Sequence, residues 1–310
     1  MLWRMAATDV SVSTGGRMTA AAPTARRRSA LVADARGVYI IWYRDLLRWW
    51  RDRQRILPSF FQPILYLFVF GVGLGSALGG AAGAAGAGTG ASALGVGYTT
   101  FMYPGVLAMS VLFTAIFSSM SIVWDREFGF LKEIQVAPIR RSAVAIGKAL
   151  GGSSVAMLQA SLLLVVAPFV GVGLSPLLVL QILGLLFLLA FALAAFGVAI
   201  ASRMRSMEGF QVVTTFIMMP ILFLSGAFFP LRGLPLWLTA LTRLDPAAYA
   251  VDALRRVVLV SAGVPDGAAS AFGINGPTGD PLPIAIEVLI LALLSVPALV
   301  AAVRWFGQTE

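Results

Sequence analysis

Few side chains in this sequence have the type and spacing to do chemistry. It contains no His and no Cys, which excludes an imidazole base, thiol chemistry, Cys/His zinc sites and disulfides. No Ser lies beside a base, and no carboxylates pair at one depth, as an intramembrane protease or transferase would need. Gly147-Lys148 lacks the upstream glycine and the following Ser or Thr of a phosphate-cradling loop. No catalytic, cofactor-binding or metal-ligating residue is therefore nominated. Inside the long apolar runs, Glu287 is the ionisable exception, about one turn into the last run, where it could reach the membrane interface. Ion-coupled carriers place Asp, Glu, His or Lys near the midplane, because such groups bind and release the driving ion. Their absence here argues against that class.

What remains is a charged island, Trp124 to Arg141, reading WDREFGFLKEIQVAPIRR between two apolar runs. Written as a helix over 125–137, it puts Phe128, Leu131 and Ile134 on one face with Phe130 beside them. Arg126, Glu127, Lys132 and Glu133 then face water, and Pro138 stops the helix. The work such an amphipathic helix can do is mechanical: held between two spans, it can be pushed. The plainer alternative is a surface loop that only joins the spans.

The elements that must hold this island are membrane helices. Of 310 residues, 59% are hydrophobic and 12% charged, with a mean hydropathy of +0.88. A soluble fold carries about 25% charged residues and could not hide this much apolar surface. The expected architecture is an all-α polytopic membrane protein with about six spans: 57–78, 101–123, 150–170, 177–201, 212–229 and 282–303. GVGLSP makes a tight turn between the third and fourth. Residues 1–34 read as a disordered basic tail, and Met18 is an alternative start. Arg26, Arg27 and Arg28 are not followed by an apolar core, so no cleaved signal is assigned. Residues 36–56 read as an interfacial helix, anchored by Trp42, Arg44, Arg48, Trp49, Trp50 and Arg51. Residues about 234–260 hold apolar runs too short to span, and are expected to form two short re-entrant helices on the outer side. Asp245 would cap the second, with Pro246 at its first position.

Of the 23 Lys and Arg, only Arg232, Arg243, Arg255 and Arg256 fall on one side of these spans. The positive-inside tendency then puts both termini and the island in the cytosol. The net charge of +9 sits beside spans, which suits anionic lipid headgroups better than nucleic acid. Leu224-Ser225-Gly226 matches the start of an ATP-cassette signature, but at a span's outer end, away from ATP. Energy for any transport must therefore come from a cytosolic partner acting on the island.

At this point the residues resemble a known family. Arg126-Glu127-Phe128-Gly129-Phe130-Leu131-Lys132-Glu133, with Ala137-Pro138, resembles the coupling motif of type-2 ABC exporter permeases, in particular the daunorubicin-resistance kind. Arg44 to Leu57 with Gln62-Pro63 is similar to that family's interfacial helix and first span. Phe223 to Pro230 resembles its fifth-span signature, and Leu244-Asp245-Pro246 with Tyr249 and Arg255 the segment before its last span. The resemblance implies the membrane subunit of an exporter in the cell (plasma or inner) membrane, not itself an enzyme. It implies two separate ATP-binding subunits that hold ATP and Mg, a second permease copy or paralogue, and drug, polyketide or lipid-like cargo. Lipid-linked glycan export is the alternative within the class. A non-transporting scaffold or pore is the rival outside it. Carried over by position, Arg126, Glu127, Phe128, Gly129, Leu131, Lys132 and Glu133 would meet the ATPase. Gly71, Gly75, Ser225 and Gly226 would allow close packing at the pathway or dimer seam. Phe113, Phe117, Phe216, Met218 and Phe223 would give that seam an apolar wall, although such residues pack any membrane interface.

Overall fold

The computed structural model describes residues 23–76, 97–128, 140–228, 231, 234–275 and 280–308, with side chains left undescribed at 23–31, 53–55 and 74. Among these residues the chain is helical, and its one β feature is a bridge between Asn275 and Pro281. The helices are α1 (Pro23–Arg51), α2 (Arg53–Phe68), α3 (Tyr98–Ser118), α4 (Met120–Glu127), α5 (Arg141–Leu164) and α6 (Pro176–Arg203). They continue with α7 (Met207–Leu224), α8 (Leu236–Leu244), α9 (Pro246–Ser261), α10 (Asp266–Ala269) and α11 (Ile284–Gln308).

Among the described residues, five stretches are long and apolar enough to cross a membrane: Ile56–Gly73, Tyr98–Glu127, Pro176–Arg203, Met207–Leu224 and Ile284–Gln308. The molecule is an all-helical, multi-pass membrane protein. The third expected span, 150–170, is instead α5, which starts at Arg141 and stops at Leu164 before a 3₁₀ turn, Ala167–Val170. With Arg141, Lys148, Gln159 and several Ser and Gly, α5 is too polar to stand among the five. It is covered on several sides, because α1, α3 and α6 pack against it.

Helix α6 is the centre, touching α3, α5, α9 and α11. Its start follows from local chemistry: Gly171 takes φ +81 after the 3₁₀ turn, Ser175 Oγ accepts from Leu178 N at 3.1 Å, and Pro176 fills the first helical position. Helices α3 and α4 form one apolar stretch bent at Ser119. Ser118 donates back to Ala115 O, a bond of the kind that bends helices, and Ser119 donates across to Ala194 O of α6. Gly152 and Gly197 receive the bend, since a Cβ on either would fall within 2.1 and 2.7 Å of these hydroxyls.

Two boundaries differ from expectation. Helix begins at Pro23, so 23–34 are not a disordered tail; residues 1–22 lie outside the described residues. The interfacial segment 36–56 breaks at Asp52, with φ −90 and ψ 72, and residues 53–56 already belong to α2. The first span becomes a π turn at Val69–Leu74, where Gly71 and Gly73 offer no side chain to hold the α register.

Candidate functional site

Three elements carry charge to one end of the bundle: the last turns of α1, the end of α4 and the first turns of α5. Asp125 stands two residues before the end of α4 and is 3% exposed. Arg44 Nη2 donates to its Oδ2 at 2.8 Å, and Arg48 Nη1 lies 3.7 Å from its Oδ1. Lys148 of α5, 4% exposed, donates to Asp125 Oδ2 at 3.1 Å, Asp45 Oδ1 at 3.1 Å and Ser121 Oγ at 2.9 Å. A buried ammonium is tolerable when its donors are filled and its charge matched, as here. Gly151 makes room: a Cβ there would sit 3.1 Å from Asp45 Oδ2.

The neighbouring Arg126 is half-buried and turned toward α6. Its guanidinium donates to Ser202 O at 3.0 Å and to Met204 O, carbonyls at the C-terminus of α6, where a cation also meets the negative end of the helix dipole. Helix α4 then ends at Glu127, with Phe128 in a turn. The expected helix over 125–137 is thus, in its described part, the end of the second span; Gly129, Leu131, Lys132 and Glu133 lie outside the described residues. Glu127 and Phe128 are exposed, and Phe128 packs edge-on to Trp124 at 6.1 Å.

The chain returns at Arg140, whose Nε lies 3.3 Å from Asp34 Oδ2 and whose backbone N donates to Asp34 Oδ1 at 3.2 Å. Arg141 donates to Gly307 O at 2.9 Å. One helix, α1, therefore grips both stems of the segment 129–139: Arg44 holds the incoming stem and Asp34 the outgoing one.

The anchoring residues split. Trp50 is 68% exposed, and Tyr39 and Tyr43 on the same helix are exposed too. Trp42 instead turns inward and donates to Ser154 Oγ at 2.8 Å, Arg44 and Arg48 are drawn to Asp125, and Trp49 lines a cavity. Arg51 is exposed.

The seam set is divided more sharply. A Cβ on Gly71 would meet Thr99 Cγ2 at 2.9 Å and one on Gly75 would meet Tyr98 Cβ at 3.3 Å, so both glycines serve α2–α3 packing within the chain. Ser225 and Gly226 are buried in a turn, Gly226 at φ +71, where Gly226 O accepts from Arg255 Nη2 at 2.6 Å. Met218 is 1% exposed in the core. Phe113 and Phe117 stack at 6.4 Å and line the cavity inside the chain. Phe216 and Phe223, 80% and 56% exposed, are the members left on the surface.

At the other end, the second short helix starts as expected, with Asp245 Oδ1 accepting from Ala247 N at 2.9 Å. Burial pushes the Asp245 carboxyl up to about 7. Arg255 is fully buried, 4.3 Å over the Phe101 ring, and burial lowers its guanidinium to about 10. Burial also raises Asp252, against the Ile274 N–H that it accepts at 2.6 Å. Glu287 is covered within the chain, 1% exposed, beside Asp252 of α9.

Sequence reasoning missed Asp34, Asp45, Asp125 and Lys148 as positioning residues. The signal for Lys148 was present: a lysine flanked by Gly147, Ala149 and Gly151 at the start of a helix calls for a buried partner.

Comparison with known proteins follows the same lines. Residues 36–259 match the family model described as ABC-2 type transporter. The chain is 29% identical over 202 residues to a transport permease, ycf38, of Cyanophora paradoxa, covering 64% of this chain and 66% of that protein. That is just under two thirds of the relative's length. It is 28% identical to nodulation protein J of Rhizobium leguminosarum bv. trifolii, over 71% of this chain and 80% of the other. It is 29% identical to a probable multidrug ABC transporter permease, YbhR, of Escherichia coli (strain K12), over 53% of this chain and 45% of that one.

Proposed function

The chain belongs to the ABC-2 type transporter family, and from that premise we propose that it is the permease of an ATP-driven exporter of hydrophobic or amphipathic compounds. Membership makes it the membrane-spanning subunit of an ABC transporter; direction, cargo and assembly are the proposal. Two separate ATP-binding subunits supply ATP and Mg, and a second permease copy or paralogue completes the path. The termini and segment 129–139 face the cytosol of a cell membrane.

The observation that carries this reading is the double grip of α1 on the stems of 129–139, through Arg44–Asp125 and Arg140–Asp34. A mere connecting loop needs no such bracing. A push on the segment from an ATPase would move α1, α4 and α5 as one body, tilting the second span against the rest. The naming of YbhR as a multidrug permease favours a greasy cargo.

Co-purification from native membranes tests this. A cassette ATPase should come down with the chain, and inverted vesicles should take up a hydrophobic dye with ATP but not after Glu127→Ala. Uptake by the purified chain alone, or uptake dissipated by a protonophore, would overturn the reading, as would labelling of 129–139 from outside the cell.

A further inference from the structure

A proline in the first span leaves its mark on two other helices. In an α-helix the carbonyl of residue 59 pairs with the N–H of residue 63, but residue 63 is Pro and has none. The freed Ser59 O, inside the span Ile56–Gly73, is met from α5: Gln159 Nε2 donates to it at 2.8 Å. A carbonyl can take only the nitrogen end of the amide, so the oxygen of Gln159 must look elsewhere for a donor. It finds one in Thr114 Oγ1 of α3. Gln159 is 2% exposed, and Pro63 is buried beside it. One side chain thus ties α2, α3 and α5 at a single point, through a carbonyl that is free to accept because of Pro63.

The surroundings give this clasp something to hold. Helix α2 is set off at both ends, by Asp52 outside the helical range before it and by the π turn Val69–Leu74 after it. The chain itself covers little of the span. Its far end leans on α3, where a Cβ on Gly71 would meet Thr99 Cγ2 at 2.9 Å. The clasp lies about 18 Å back along the helix from there, at 1.5 Å per residue. Ser59, Pro63, Thr114 and Gln159 all line the cavity of about 390 Å³ between α1, α2, α3, α4 and α5. On the α2 side, the width of that cavity is therefore set at the clasp. Apolar contacts along a span can slide, whereas a hydrogen bond to one carbonyl fixes register and direction. In lipid the alternative for Gln159 is an unmet amide, which is costly.

We propose that Gln159 is a positioning residue for transport: it fixes the first span against α3 and α5 through the carbonyl freed by Pro63, and the span swings about this point when the permease changes state. The placement of α2 stands on the geometry alone; its part in transport rests on the exporter reading above.

The test uses the full chain with its co-purified ATPase in proteoliposomes. The sequence has no Cys, so Phe61→Cys on α2 and Leu162→Cys on α5, both at exposed positions, take spin labels at chosen sites. Dilution with unlabelled chain isolates the distance within one copy. Gln159→Leu should broaden the α2–α5 distance and cut ATP-driven uptake of a hydrophobic dye about tenfold, the equivalent of one interhelical hydrogen bond in a membrane, with the KM for ATP unchanged. Adding Pro63→Ala returns an N–H to Ser59 O. The double variant should then recover the melting temperature lost in Gln159→Leu, while distance and uptake stay altered because the link to α5 is still missing. Recovery of uptake together with melting would reduce Gln159 to filling a carbonyl and overturn the proposal, as would an unchanged distance in Gln159→Leu. Should Gln159→Leu not fold, Thr114→Val decides: it keeps the shape of the side chain and removes the donor to Gln159 Oε1. It should broaden the same distance to a smaller extent and lower uptake, and no change in either overturns the proposal. Ser161→Ala on α5, whose hydroxyl bonds within its own helix, should alter neither. A broadened distance in Gln159→Leu with no ATP-driven uptake by the wild type would keep the clasp and sink the exporter reading. Wild-type uptake that Gln159→Leu leaves intact would do the reverse.

Discussion

Arg44 of α1 and Asp125 of α4, 81 residues apart in the chain, meet at 2.8 Å on the basic end of the bundle. Beside them Lys148 joins Asp125 to Asp45, so a surface helix, the end of a span and the start of α5 share one buried ion network.

Removing the cation at its centre should be costly. Lys148→Met leaves two carboxylates facing each other with part of their compensation gone, and loss of one partner of a buried pair costs on the order of 3–5 kcal/mol. The purified variant should melt well below the wild type in detergent. Adding Asp45→Asn should recover part of the loss; no recovery would mean that the two groups are not coupled.

The pair at the outgoing stem should behave differently. Arg140 is mostly exposed, and exposed pairs contribute about 0–1 kcal/mol. Asp34→Arg should therefore leave the melting temperature nearly unchanged yet cut ATP-driven uptake severalfold. The reciprocal exchange, Asp34→Arg with Arg140→Asp, should restore it. Undiminished uptake in the single variant would rule out a mechanical role for this contact.

At the incoming stem and the segment's first residue, Glu127→Ala and Gly129→Pro should abolish coupled turnover while the chain still inserts and folds. Glu127 is exposed and makes no ion pair among the described residues, so its loss removes a contact offered to a partner rather than one within the chain. Persistence of stimulated ATP hydrolysis in both variants would move the coupling site elsewhere.

Gly105 tests the closure at the end of the bundle away from the ion network. A Cβ there would stand 2.3 Å from Ala227 O, a backbone atom with little freedom to move. Gly105→Ala should destabilise by about 1–3 kcal/mol or more, as overpacking does, with a fall in membrane yield. A fully stable variant would show that α3 and the turn at 225–227 are not in close contact.

Asp245 predicts a pH dependence. Its folded carboxyl is pushed up to about 7 from 3.8, so the folded state keeps a proton that the unfolded chain releases. Its contribution is complete below pH 3.8 and is lost as pH rises through about 7. Melting temperature should thus fall between pH 5 and pH 8. Asp245→Asn keeps the acceptor for Ala247 N and should flatten that slope, with a gain at pH 8 equivalent to about 1–3 kcal/mol. Identical slopes in the two proteins would assign the dependence to another group.

By itself the sequence determined the class and the order of elements. Runs of apolar residues, Pro246 at a helix start, Asp245 as its cap and the one-sided Lys and Arg are local signals, and local signals survive without knowledge of the neighbours. It also singled out the charged stretch around Glu127, whose coupling role is part of the proposal. The tertiary structure alone decided which charges pair. Asp34, Asp45, Asp125 and Lys148 lie on different helices, and sequence spacing says nothing of contacts across 23 to 106 residues. It likewise decided the role of the small and aromatic residues. Gly71, Gly75 and Gly226 look alike as letters, yet each is consumed by a neighbour within the chain, while Phe216 stays outside. Apolar side chains in a membrane protein carry no mark of whether lipid, a second copy or the chain itself will cover them. Only the packing assigns each to its place.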